Sequence, residues 1–173
     1  MINTRKSLLL CIVQLLIVLS LAGKLLYDRA TRPRVWVLAQ VYDPELPIRG
    51  RYLAELLRMP AEGFIPNEVG EGAVPWYANR DWAYLRVRND QLIATAQGTG
   101  PGAWIHLQKN NDGSIAAVTE DPVLFFISEQ AKVPSLKPGE EMWVEVTVPA
   151  EGPPRPIRIG VKKNGVLSPL DIH

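Results

Sequence analysis

From Leu8 to Leu26 the chain is apolar on every side a helix would present, broken only by Gln14, Ser20, Gly23 and Lys24. Such a run has no polar stripe to give to water, so it is not a surface helix of a soluble domain. Crossing the hydrocarbon core of a bilayer takes about 20 apolar residues. Leu8–Leu26 nearly reaches that length if Lys24 extends its ammonium to the interface. Tyr27 then falls at headgroup depth, where aromatic rings with a polar tip are favoured. Met1–Lys6 forms a short start carrying Arg5 and Lys6. A cleaved signal peptide shares this design, with a basic start, a core of about 7–15 apolar residues and small residues before the cut. Ser20 and Ala22 supply that small-residue pattern. The run is expected to be a retained transmembrane anchor over residues 7–26 that holds the chain in the lipid bilayer; cleavage after Ala22 and a core helix of a cytosolic domain are the alternatives. Cys11 is not a lipid-attachment cysteine, because Leu10 precedes it where a small residue is wanted.

Basic residues flank the run on both sides, Arg5 and Lys6 before it and Lys24, Arg29, Arg32 and Arg34 after it. Simple counting favours an inside C-terminus. The signal-like start and the long downstream domain favour the opposite. The expected placement is single-pass in the cytoplasmic (inner) membrane, with residues 1–6 cytoplasmic and the C-terminal domain on the periplasmic or extracytoplasmic side.

After a short basic tether, 27–33, residues 34–173 are enough for one domain of ordinary size. The net charge of the whole chain is +1, so no strong field points to nucleic acid. Cys11 is the one cysteine, which excludes disulfides and thiolate metal sites from the domain. Fifteen prolines and thirteen glycines are scattered rather than repeated, and they punctuate the chain as turns.

Between those turns lie short segments rich in β-branched and aromatic residues. Val35–Tyr42 reads as a strand and Tyr52–Leu57 as a second. Residues 58–76 hold Pro60, Gly63, Pro66, Gly70, Gly72 and Pro75, and read as a long irregular loop. In Ala83–Arg88, Ala83, Leu85 and Val87 alternate with Tyr84, Arg86 and Arg88, so one face is apolar. Gln91–Ala96, Ala103–Gln108, Ser114–Thr119, Val123–Ser128, Met142–Val148, Ile157–Val161 and Val166–Leu167 follow. Asn110-Asn111-Asp112-Gly113 and Asn164-Gly165 are hairpin turns, since Asn and Gly tolerate positive φ. Nothing after Leu26 has a helical period. The expected fold is all-β, a compact barrel or sandwich of about eight or nine short strands behind one N-terminal transmembrane helix.

The order of features is an anchor, a strand, Asp43-Pro44, and Arg49-Gly50-x-Tyr52 entering a second strand. Phe125-Phe126-Ile127-Ser128-Glu129 comes later, and a terminal strand pair carries Lys163-Asn164-Gly165-Val166-Leu167. Over most of its length the chain resembles the bacterial GDYXXLXY family. Gly50 and Tyr52 match the naming motif, while Arg51 stands in place of its aspartate, Glu55 of its leucine and Leu57 of its last tyrosine. The resemblance implies a membrane-anchored domain of unassigned activity, often encoded beside polytopic membrane proteins.

Two groups of residues are candidates for binding. Asp43, Arg49, Gly50, Arg51 and Tyr52 form a proline-shaped turn in which the two arginines can receive an anion. The competing account is structural: Asp43 accepts backbone hydrogen bonds, Gly50 takes a conformation others resist, and Tyr52 packs. Trp76, Tyr77 and Trp82 flank the irregular loop and can line a groove for a peptide, a glycan or a partner protein, or else fill the core. His106 with Glu120 and Asp121 is a poor metal signature and reads as a histidine on a sheet surface. Ser114, Ser128 and Ser135 have no nucleophile motif around them, and there is no G-x-S-x-G, phosphate loop or zinc spacing. No catalytic residue, cofactor or metal is expected. The function expected is a binding or accessory module for a membrane or envelope partner, with a membrane protein as that partner. The alternative is an envelope hydrolase or transferase whose active site follows no known motif.

Overall fold

The computed structural model describes residues 4–42, 52–65, 80–127 and 136–170. The chain divides into two compact units, Met1–Arg32 and Pro33–His173. The first holds one helix, α1, Thr4–Thr31. Its leucines, isoleucines and valines are exposed, among them Leu8, Leu15, Ile17 and Leu25. Lys6–Thr31 is long and apolar enough to cross a membrane. The helix outruns the expected anchor, 7–26, and takes in most of the stretch read as a tether. No breaker precedes Pro33. The Thr31 hydroxyl donates to the Tyr27 carbonyl at 2.8 Å, and Arg32 reaches Asp28 one turn back at 3.5 Å. Pro33 then disfavours a helical conformation for the residue before it.

The second unit is all-β. Among the described residues its strands are β1 Arg34–Tyr42, β2 Tyr52–Glu62, β3 Arg80–Arg88, β4 Gln91–Thr95, β5 Gly102–Lys109, β6 Ile115–Thr119, β7 Val123–Phe126, β8 Glu140–Thr147, β9 Arg155–Lys163 and β10 Val166–Pro169. That is ten, where turn spacing suggested eight or nine. One sheet runs β10-β9-β8-β1-β2-β4-β3-β5-β6, and β6 pairs back onto β2. Strands β2, β4, β3, β5 and β6 therefore close a ring, and β1, β8, β9 and β10 extend from it. All pairings are antiparallel except the short β2–β4 contact at Ala61↔Ala94 and Glu62↔Thr95.

β2 is the shared strand. One of its edges carries β1 over Ala54–Arg58 and then β4 over Ala61–Glu62. The other carries β7 over Tyr52–Glu55 and β6 over Arg58–Pro60. The strand thus continues through Glu62 into the stretch expected to be an irregular loop. Pro60 is accommodated because amides alternate along a strand. The Leu57 N–H points to β6, where it donates to the Thr119 hydroxyl at 3.0 Å. Residue 60 faces the other edge, in the gap between the last β1 pair and the first β4 pair, where no ladder donor is needed.

The core gathers Val35 and Val37 of β1, Leu57 and Met59 of β2, Ala83 and Leu85 of β3, Ile105, Val144, Val146 and Ile159. The alternation read in Ala83–Arg88 holds: Ala83 and Leu85 are buried, whereas Arg86 and Arg88 are exposed. The β9–β10 hairpin turns on Asn164 (φ 49°) and Gly165 (φ 81°), as the Asn-Gly pair predicts.

Candidate functional site

Along one edge of β2 the chain runs as β6, breaks at residues 120–122, and resumes as β7. β5 accompanies β6 as far as Ile105↔Thr119, with a last hydrogen bond from the Glu120 N–H to the Trp104 carbonyl at 2.9 Å. There the strands part. β5 stays with β3 through Trp82↔Trp104, Ala83↔Ala103 and Tyr84↔Gly102, while β7 keeps to β2. The fork between them holds a cavity of about 480 Å³. Trp82, Gly102 and Trp104 form one wall, Pro122 and Leu124 another, and residues 152–156 with Pro153, Pro154 and Pro156 a third.

The tryptophan pair is built by register. Trp82 and Trp104 sit opposite each other on β3 and β5. Their ring centres are 5.3 Å apart and their planes meet at 78°, an edge-to-face contact. Trp82 lies against Gly102, where a Cβ would come within 2.5 Å of the ring. Glycine is needed there for close approach. The Arg80 guanidinium sits 4.0 Å from the centre of the Trp104 ring and donates to Glu120 at 2.6 Å, which fixes the ring from one side. Both indoles are nevertheless 40% exposed. Leu124 and Phe126, two residues apart on β7, are exposed as well. Among the described residues β7 is laddered only to β2, so its edge towards the fork has backbone groups outside any ladder.

No family model, no curated protein and no solved structure matches the chain. The groove's chemistry is that of contact. It offers indole faces, proline rings and an unladdered strand edge. Among the described residues no group of three or more His, Cys, Asp and Glu side chains is placed to hold a metal. Glu120, considered above with His106 and Asp121, is the ion-pair partner of Arg80.

Of the residues singled out in the sequence, Trp82 is in the groove. Tyr52 opens β2, its backbone opposite Phe126. Asp43, Arg49, Gly50, Arg51, Trp76 and Tyr77 lie outside the described residues. Sequence reasoning missed Trp104, Gly102, Leu124 and the prolines of 152–156. A signal for Trp104 existed: it precedes Ile105, which strand alternation sends inward, so the indole had to point out.

Among the described residues, one titratable group departs sharply from its usual behaviour. Glu55 shares the inward face of β2 with Leu57 and Met59, lies between Val41 of β1 and Val123 of β7 in the ladders, and is 1% exposed. Neither of its carboxylate oxygens has a hydrogen-bond partner. Burial pushes its pKa up to about 7.

Proposed function

We propose that this chain is a membrane-anchored binding module whose fork groove receives an extended, apolar or proline-bearing segment of a membrane-protein partner. In this reading α1 holds the chain in the cytoplasmic membrane and the β domain stands on its extracytoplasmic side, as an accessory to an envelope complex. The observation that carries the proposal is the edge-to-face pair Trp82–Trp104, 40% exposed, beside an unladdered edge of β7. Indole pairs supply rigid contact area at low entropic cost. A partner strand laid beside β7 would find backbone groups to pair with, and its side chains would enter the aromatic wall. The resemblance to the GDYXXLXY family supports the same picture, since it implies an anchored domain encoded beside polytopic membrane proteins.

The test is a photo-crosslinking amino acid placed at Leu124 in the full chain and irradiated in native membranes. The expected result is a discrete adduct with an integral membrane protein, reduced at least tenfold by Trp104→Ala. Adducts that are absent, or that persist unchanged in the Trp104→Ala chain, would count against the groove as the docking site.

A further inference from the structure

On a different face of the β domain a larger cleft, about 880 Å³, is floored by the outward side of β1 and β8. Trp36, Leu38 and Trp143 lie on that side: Leu38 is the register partner of Trp143, and Trp36 is two residues away on the same face. Each indole is held in place. The Trp36 ring rests on Gly160, where a Cβ would approach it to 3.1 Å, and the Arg158 guanidinium lies 5.8 Å from the ring centre. The Trp143 indole N–H donates to Glu141 at 3.0 Å, and Lys162 stands 4.4 Å from its ring centre. Facing these platforms are short polar groups, Gln91, Asn110 and Ser114, together with Arg58.

The charge balance in the cleft is uneven. Lys162 and Glu141 are register partners on β9 and β8, one charge of each sign, and both meet the Trp143 indole. Arg58 is different: its guanidinium, part-buried, donates to the side-chain oxygen of Asn110, a neutral amide. A half-desolvated cation with a neutral partner favours an anion brought to it. β8 is laddered on both edges over Trp143–Thr147, by β1 and β9, whereas β1 is laddered to β8 over Arg34–Leu38 and to β2 only from Leu38 onward. Flat indole platforms with amide and hydroxyl groups at their margin suit a ring that is apolar on its faces and hydroxylated at its rim.

We infer that this cleft is a saccharide site, in which sugar rings lie on Trp36 and Trp143 and a carboxylate of the sugar meets Arg58. The site is separate from the fork groove in its residues and does not depend on it.

The test is calorimetric titration of the full chain, purified in a detergent without a sugar headgroup, with trigalacturonate, with the neutral maltotriose and with a triglutamate peptide. Trigalacturonate is expected to bind saturably, and the other two at least tenfold more weakly. Trp143→Ala should weaken trigalacturonate at least tenfold. Asn110→Asp should do the same by placing a carboxylate against Arg58, and it should leave the weak binding of maltotriose unchanged. Asn110→Asp alters a polar turn and no core residue, so it decides the matter even if Trp143→Ala fails to fold. Absence of saturable trigalacturonate binding would overturn the inference. So would triglutamate binding as tightly as trigalacturonate, which would make the site one for acidic peptides. Unchanged binding in Asn110→Asp would overturn the role of Arg58, and loss of binding in Trp104→Ala would place the ligand in the fork instead.

Discussion

At the scale of single residues, Glu55 and Gly102 are two described positions where the chain departs from what packing alone would choose. When folded, the Glu55 carboxyl keeps its proton up to about pH 7; unfolded, it releases it near 4.5. Between those values the folded chain binds more protons, so stability falls as pH rises. The contribution is complete below about pH 4.5 and is lost as pH passes through about 7, a change on the order of 3 kcal/mol. Denaturant titrations of the Pro33–His173 unit at pH 5 and pH 8 should show this difference. Glu55→Gln should flatten it, and Glu55→Leu, which can pack as Leu57 does on the same face, should gain most at pH 8. A wild-type stability that is level across that range would refute the account. Gly102 is constrained by space. With Trp82 as close as 2.5 Å to a Cβ at that position, Gly102→Val must push the ring off its seat and break the contact with Trp104. Overpacking of this kind costs about 1–3 kcal/mol. The expected readout is a lowered melting temperature together with a change in near-ultraviolet dichroism, which reports the indole environment.

The element that organises the domain is β2, and its role shows which parts of the fold were legible in the sequence. Alternation made Ala83, Leu85 and Val87 readable as one buried face, and Asn164-Gly165 readable as a hairpin, because both signals are local. Pro60 looked like the end of a strand for an equally local reason. What rescues it is long-range: the gap between β1 and β4 on one edge of β2, and β6 on the other. The closure of the ring through β2–β6 and the parallel contact β2–β4 likewise leave no local mark, since nothing near residue 60 announces residue 116 or residue 94. The helix outran its expected end because Asp28 and Arg32 pair one turn apart, a polar stretch that is helical all the same. One bond couples the two sides of the closure. The Leu57 amide donates to the Thr119 hydroxyl at 3.0 Å in a buried position. Thr119→Val keeps the shape and removes the acceptor, leaving a buried N–H without a partner at a cost of about 1–3 kcal/mol. Thr119→Ser should restore most of the loss, and hydrogen exchange at the Leu57 amide should accelerate only in the valine variant. The β3–β4 hairpin offers the converse case. Asn89 and Asp90 both adopt positive φ, 51° and 58°, without a glycine. Asp90→Gly relieves that backbone and should raise stability by up to about 1 kcal/mol, visible as a higher melting temperature with an unchanged fold.

For the whole molecule, the two units were separable in the sequence from composition alone, because an apolar run without a polar stripe contrasts with the alternating pattern of the β domain. The binding surface was much less legible. Tryptophan fills cores and lines grooves with equal ease, so Trp82 and Trp104 could be told from Trp36 and Trp143 only once register placed each pair on a face. The helix leads to a prediction about the intact chain. Lys6–Thr31 has the length and apolarity of a span, so the full 19.3 kDa chain should remain in membranes after a carbonate wash. A soluble form starting at Gly23 would instead mean that the helix is a cleaved signal. Orientation rests on a balance of charge. Arg5 and Lys6 lie at the start of the helix, and Lys24, Arg29 and Arg32 towards and just past its end. Positive charge within about 15–20 residues of a span end holds that end in the cytoplasm, while acidic residues such as Asp28 offset it little. If the β domain is nevertheless carried out, the outward placement must be marginal in charge terms and sensitive to it. A phosphatase reporter that works only outside the cytoplasm, fused after His173, should therefore be active in the natural chain. It should gain activity when Arg29 and Arg32 become Gln, and lose it when Arg5 and Lys6 become Gln. A reporter inactive in all three chains would place the β domain in the cytoplasm and remove an envelope partner from consideration, while leaving the groove between β5 and β7 where it is.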